Sequence, residues 1–144
     1  MKSHVSARGM LLVAILIGGS MCLGCSGGTP GSVSGQVTWE GQPLEAGNIR
    51  FDPTEESEGA SGSSLISAGK YSIPHDSGML AGKYLVSITA TKATGKQIRR
   101  MDSTTAMTPE IVLFIPDRYN VRSTLDIELK GGANLKDFTL TSKP

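Results

Sequence analysis

From Val33 onward, apolar side chains recur at every second position rather than at helical spacing. Val33, Gly35, Val37 and Trp39 alternate with Ser34, Gln36, Thr38 and Glu40, the period of two that puts successive side chains on opposite faces of a strand. Glu40-Gly41-Gln42-Pro43 interrupts this with a turn signal. Ile49 and Phe51 then resume it between Asn48, Arg50 and Asp52, so the first two strands are expected to pair as a hairpin. Pro53 to Ser64 holds no apolar residue larger than alanine and is expected to be a solvated loop. Leu65-Ile66-Ser67 and Tyr71-Ser72-Ile73 flank Ala68-Gly69-Lys70 as a second hairpin, which Pro74 ends. Tyr84 to Thr91 is the expected central strand, with Tyr84, Val86, Ile88 and Ala90 on one face. Leu125, Ile127 and Leu129 alternate with charged residues, and Gly131-Gly132-Ala133-Asn134 leads to a final strand containing Phe138 and Leu140, a two-strand ending. About seven strands with no amphipathic helix predict an all-β fold, a Greek-key β-sandwich of Ig-like outline over residues 34–142.

The first residues follow a different pattern. Lys2 and Arg8 precede the uncharged run Met10 to Ile17, and Gly18, Gly19 and Ser20 follow it. A basic start, a short apolar core and a small-residue end are the layout of a secretory signal peptide. The run is too short for a permanent span, which needs roughly 20 apolar residues. Signal peptide is therefore expected over 1–24, a flexible Gly/Ser-rich tether over 25–33 and the sandwich after it.

Composition narrows the function classes. The 14 basic and 13 acidic residues lack the excess of positive charge a nucleic-acid-binding chain carries, so no nucleic-acid partner is expected. Both cysteines, Cys22 and Cys25, precede the strands, which leaves the sandwich without a disulfide or thiolate metal site of its own. Five of the seven aromatics lie on or beside predicted strands, enough for a small core; Phe114 and Tyr119 are the exceptions.

Leu23-Gly24-Cys25-Ser26 resembles the lipobox of bacterial lipoproteins. The resemblance implies cleavage before Cys25 and attachment of acyl chains, palmitate among them, to that residue. Cys22 stands where a leucine is usual, and the bulky Met21 before it makes Cys22 the poorer acceptor. Ser26, in place of the aspartate that signals inner-membrane retention in many Gram-negative bacteria, favours an outer-membrane destination over the inner membrane. Removing the leader takes Lys2 and Arg8 with it and leaves 12 basic and 13 acidic residues.

Four further segments, Val33-Ser34-Gly35-Gln36-Val37-Thr38, Gly41-Gln42-Pro43-Leu44, Ala68-Gly69-Lys70-Tyr71-Ser72-Ile73 and Ala81-Gly82-Lys83-Tyr84-Leu85-Val86-Ser87-Ile88, together resemble the carboxypeptidase regulatory-like, transthyretin-like domains. The likeness covers residues 33–91. Ile115-Pro116-Asp117-Arg118-Tyr119-Asn120 followed by Ser123-Thr124-Leu125 is similar to small lipoproteins of planctomycete-type bacteria that carry such a domain. The resemblance implies a transthyretin-like sandwich without chemistry of its own, because in metallocarboxypeptidases the zinc site belongs to a separate catalytic domain. His75 is the one histidine beyond the leader, so a two-histidine zinc site within one chain is ruled out. A transthyretin-like hydrolase would need several histidines and a C-terminal Tyr-Arg-Gly-Ser, whereas this chain ends Thr141-Ser142-Lys143-Pro144.

The remaining candidates divide between chemical and structural roles. His75, Asp76 and Ser77 hold the residue types of a hydrolase, but neighbours in an extended segment point apart, and Pro74 to Gly78 reads as a turn with Asp76 bonding local amides. Glu55, Glu56 and Glu58 lack the ligand spacing of a calcium loop and read as a solvated face. Lys92, Lys96, Arg99 and Arg100 could meet anionic headgroups or an acidic glycan; with Asp102 and Glu110 nearby, residues 92–110 read as an exposed, mobile linker. The parity of Trp39 with Val33 and Val37 points it inward, and the alternative is an exposed indole that stacks on a sugar ring. Tyr119 is expected to pack on the sandwich while its hydroxyl ties down a loop. The chain is thus expected to be a lipid-anchored, non-catalytic cell-envelope protein without cofactor or metal, its partners being the membrane through Cys25 and an envelope protein or glycan; a glycan- or small-ligand-binding lipoprotein using Trp39 is the alternative.

Overall fold

The computed structural model describes residues 28–144, so Cys22, Cys25 and the predicted leader lie outside the described residues. Among those described, the chain forms eleven strands and two single 3-10 turns. No helix among them is long and apolar enough to cross a membrane.

Strand β1 (Gly31–Trp39) organises the fold. It begins inside the segment expected as tether, held there by the Gly31 amide donating to the Met79 carbonyl at 3.0 Å. It is followed by β2 (Gln42–Pro43), β3 (Ala46–Pro53), β4 (Gly62–Ser67), β5 (Lys70–Ile73) and β6 (Gly82–Thr89), then, nearer the C-terminus, by β9 (Leu125–Leu129), β10 (Gly132–Leu135) and β11 (Phe138–Leu140). Between β6 and β9, β7 (Thr91–Arg99) and β8 (Met107–Leu113) form a separate two-stranded antiparallel ribbon. The principal path runs β10-β1-β5-β4-β3-β6-β9, seven strands, with β2 and β11 also paired to β1.

The chain is an all-β sandwich, as its period of two predicts, and the predicted inward sets are the core. Ile49 and Phe51 of β3, Tyr84, Val86 and Ile88 of β6, and Ala90 after it are all buried, as are Val33, Val37, Phe138 and Leu140. Each such side chain contributes roughly 1.5–3 kcal/mol when fully removed from water. No polar or charged residue is buried among those described. Phe51, Tyr71 and Phe138 meet across the interior with ring centroids 5.9, 6.4 and 6.2 Å apart, so β3, β5 and β11 close on one core.

Strand pairing departs from the sequence expectation in two places. The strand carrying Ile49 and Phe51 does not pair with β1; it lies between β4 and β6, while β1 takes β5 as its antiparallel neighbour from Val33↔Ile73 to Gln36↔Lys70. The turn at Glu40-Gly41 returns the chain only for the two residues of β2. Nor do the last strands pair with each other: β9 pairs with β6, and β10 and β11 run parallel to β1. The break between β10 and β11 is accommodated by Gly35, where a Cβ would collide with the Lys136 carbonyl. The Asp137 carboxylate there accepts the Gln36 amide at 2.7 Å. The Ala68-Gly69 hairpin forms as expected, with both residues at positive φ (48° and 76°), as a two-residue hairpin turn matched to strand twist requires.

Residues 92–110 are not a linker. They supply most of β7 and β8, joined by ladder pairs from Thr91↔Leu113 to Arg99↔Met107 with an irregularity between Ala93 and Gln97. Polar side chains at Thr94 and Glu110, hydrogen-bonded at 2.6 Å, span that irregularity.

Candidate functional site

β1 ends at Trp39, and the ribbon leaves the sandwich immediately beside it. Phe114, the residue after β8, donates its amide to the Ala90 carbonyl at 3.2 Å, pinning the ribbon's root where β6 ends. Its ring meets the Trp39 indole edge to face, with centroids 5.5 Å apart and planes at 77°. Trp39 is half-buried and packs against the core, so the inward reading is right in direction and incomplete in depth. The two rings form one wall of a cleft of about 270 Å³ whose other walls are Pro43, Leu44, Glu45 and Lys92. The Lys92 ammonium lies 5.4 Å from the Phe114 ring centre, within cation–π range. An apolar aromatic wall with a cation and a carboxylate at its rim suits a small ligand that offers one apolar face and several polar groups.

A strap closes the neighbouring surface. Arg118 lies over the Tyr119 ring at 4.7 Å and donates to the carbonyls of Thr141 and Lys143. The Tyr119 hydroxyl accepts the Thr141 amide at 3.3 Å, and contact with Thr141 lowers its pKa. This is the role expected of Tyr119, a ring on the sandwich and a hydroxyl on a loop. Glu40 accepts the Ser142 amide, and hydrogen bonding to Ser142, from its side chain first and then its backbone, lowers the carboxyl pKa.

The other candidates stay apart. His75, Asp76 and Ser77 form one 3-10 turn, the first two exposed and Ser77 half-buried, closed by the Ser77 amide on the Pro74 carbonyl at 3.2 Å. The turn is as expected, but backbone closes it and not the Asp76 carboxylate. Glu56 pairs with Lys83 at 2.8 Å, which lowers the carboxyl pKa and raises that of the amine. Among the described residues no group of three metal-ligating side chains gathers. Lys92 alone of the basic stretch reaches the cleft. Cys25 lies outside the described residues.

Two features escaped the sequence reading. Phe114 reads as one apolar residue in a run, and nothing in its spacing pairs it with a tryptophan 75 positions earlier. A second, open furrow of about 590 Å³ crosses the outer surface of β1, β4 and β5 between Leu65 and Leu135, both three-quarters exposed at 75%. Beneath it Tyr71 donates its hydroxyl to the Lys136 carbonyl at 2.7 Å; burial first, then Asp137, pushes that phenol up.

The fold and the cleft define an all-β sandwich with a small aromatic cleft at one end. No protein-family model, curated protein or solved structure matches the chain.

Proposed function

We propose that this chain is a non-catalytic, lipid-anchored cell-envelope protein whose transthyretin-like sandwich serves as an interaction module. One observation carries the reading: the β7–β8 ribbon stands off the sandwich with every residue of β7 exposed and Met107, Ile111 and Leu113 of β8 uncovered. A two-stranded ribbon has little stability alone in water, and one that displays apolar side chains is built to meet another surface. The leader and lipobox pattern ending at Cys25 supports the anchor, and Ser26 supports the outer membrane. The all-β sandwich is the fold implied by the carboxypeptidase regulatory-like resemblance. The exposure of His75 and Asp76 on one 3-10 turn supports an interaction role over a hydrolytic one.

Metabolic labelling with palmitate tests the anchor. Wild type takes up label and fractionates with membranes, and Cys25→Ser does neither; unlabelled wild type, or Cys25→Ser retained in the membrane fraction, sinks the reading.

The Trp39–Phe114 cleft favours a second reading, a glycan- or small-ligand-binding lipoprotein. Trp39 is the sole tryptophan of the chain, so tryptophan emission, excited apart from the three tyrosines, reports on this cleft alone. A glycan or small ligand that binds shifts that emission, and Lys92→Ala weakens its binding; panels of glycans and of small ligands without any shift remove this reading.

A further inference from the structure

The ribbon's chemistry is inverted relative to its burial. Along β8 the polar Thr108 and Glu110 are half-buried, whereas Met107, Pro109, Ile111 and Leu113 are exposed. Ladder register puts these four on one face, opposite Arg99, Gln97, Ala93 and Thr91. Ile98 and Val112 occupy the other face, 44% and 37% exposed, and Met101 at the tip is fully exposed. Apolar side chains are thus uncovered on both faces and at the end.

Charge singles out the same element. Residues 91–113 carry Lys92, Lys96, Arg99 and Arg100 against two acids. One of these, Asp102, is paired with Arg100, and the other, Glu110, accepts a hydrogen bond from Thr94. Elsewhere the described residues hold eight basic and eleven acidic side chains, so positive charge is gathered on the ribbon of an otherwise acidic body.

The edges exclude one mode of docking. Pro109 removes a backbone donor in the middle of β8, and the irregularity at 94–96, with Gly95 at φ 83°, breaks the line of β7. Both are devices that stop a foreign strand from adding to an edge. Contact must therefore be made by faces and tip.

We propose that the β7–β8 ribbon is a docking arm for an anionic lipid bilayer. A flat protein surface would cover one face, whereas a headgroup layer surrounds a tip and covers both. Lysine and arginine stems lie along apolar surface while their charges reach phosphates, and juxtaposed cations and apolar side chains are the composition of an interfacial element. The arm leaves the sandwich at the far end of β6. The N-terminal entry lies at the near end, where Pro30 bridges Leu80 and the Ala81 amide donates to the Thr29 carbonyl at 2.8 Å. Resting on the Cys25 reading, anchor and arm attach at opposite ends of β6; docking by the arm itself does not depend on the anchor.

The full chain carrying Cys25→Ser, which the anchor reading leaves unacylated, is tested by flotation with vesicles of phosphatidylcholine alone or mixed with phosphatidylglycerol. It binds the anionic vesicles at least tenfold more tightly, and molar salt abolishes the difference. Lys96→Gln with Arg99→Gln weakens binding about twenty-fivefold, since each cation near such a surface contributes a factor of about five. Met101→Ser with Ile111→Ser weakens it further, with the thermal midpoint unchanged because all four side chains are exposed. Equal binding to neutral vesicles, binding to neither, or unaltered binding by both double variants overturns the proposal. So does a concentration-dependent dimer that buries a dye placed at Met101→Cys, which would make a second copy the partner. Loss of palmitate labelling with vesicle docking intact would overturn the anchor and leave the arm.

Discussion

Gly35 shows how one missing side chain decides a local arrangement. The Lys136 carbonyl occupies the space a Cβ would need, and this close approach lets the chain break between β10 and β11 while both halves stay on β1. The obstacle is backbone and not the end of a flexible side chain, so Gly35→Ala must move a strand. A loss of about 3 kcal/mol is expected, the upper range for overpacking, read as a lowered midpoint in urea or on heating. Tyr71 makes a different demand. Its phenol is held protonated by burial and, secondarily, by Asp137, above its ordinary value of 10.0. A folded-state pKa raised above the unfolded one means that the unfolded chain loses its proton first. The stabilisation is therefore complete below about pH 10 and declines as pH rises beyond it. Thermal midpoints measured across alkaline pH should fall more steeply for wild type than for Tyr71→Phe, although the variant starts lower by roughly 1 kcal/mol for the lost Lys136 hydrogen bond.

Among the elements, the contrast is between β6 and β7, which follow one another with a single residue between them. β6 buries Tyr84, Val86 and Ile88 between β3 and β9, whereas β7 buries nothing. Their difference is legible in part: Tyr-Leu-Val-Ser-Ile alternates strongly, and Lys-Ala-Thr-Gly-Lys-Gln does not. Basic residues with Asp102 and Glu110 among them read as a linker, because periodicity reports burial and a ribbon in water has little to report. Backbone pairing between β7 and β8 needs no buried face, so it left no pattern to read. Replacing residues 93–111 with a short Gly/Ser turn should leave the unfolding midpoint within a few degrees of wild type, since no core residue lies in the segment. Circular dichroism during heating checks this, and a collapse of the cooperative transition would show that the ribbon supports the sandwich.

Across the whole molecule the strands set up two ends. β6 leads from the N-terminal entry near Leu80 to the ribbon's root, and β1 leads from the same entry to Trp39. The arm, the aromatic cleft and the Arg118–Tyr119 strap therefore share the end away from Gly28. The sequence by itself determined which side chains face inward, because alternation with period two is a property of the strand alone. It also determined the two turns at Glu40-Gly41 and Ala68-Gly69, and it carries the leader pattern that places Cys25 at the anchor of the proposed function. Only the tertiary structure decided the neighbours: β1 beside β5, β10 and β11 instead of β3, Phe114 against Trp39, and a ribbon where a linker was expected. Periodicity specifies the face a residue occupies. The strand lying beside it is chosen by contacts among segments far apart in the chain, which local pattern does not encode.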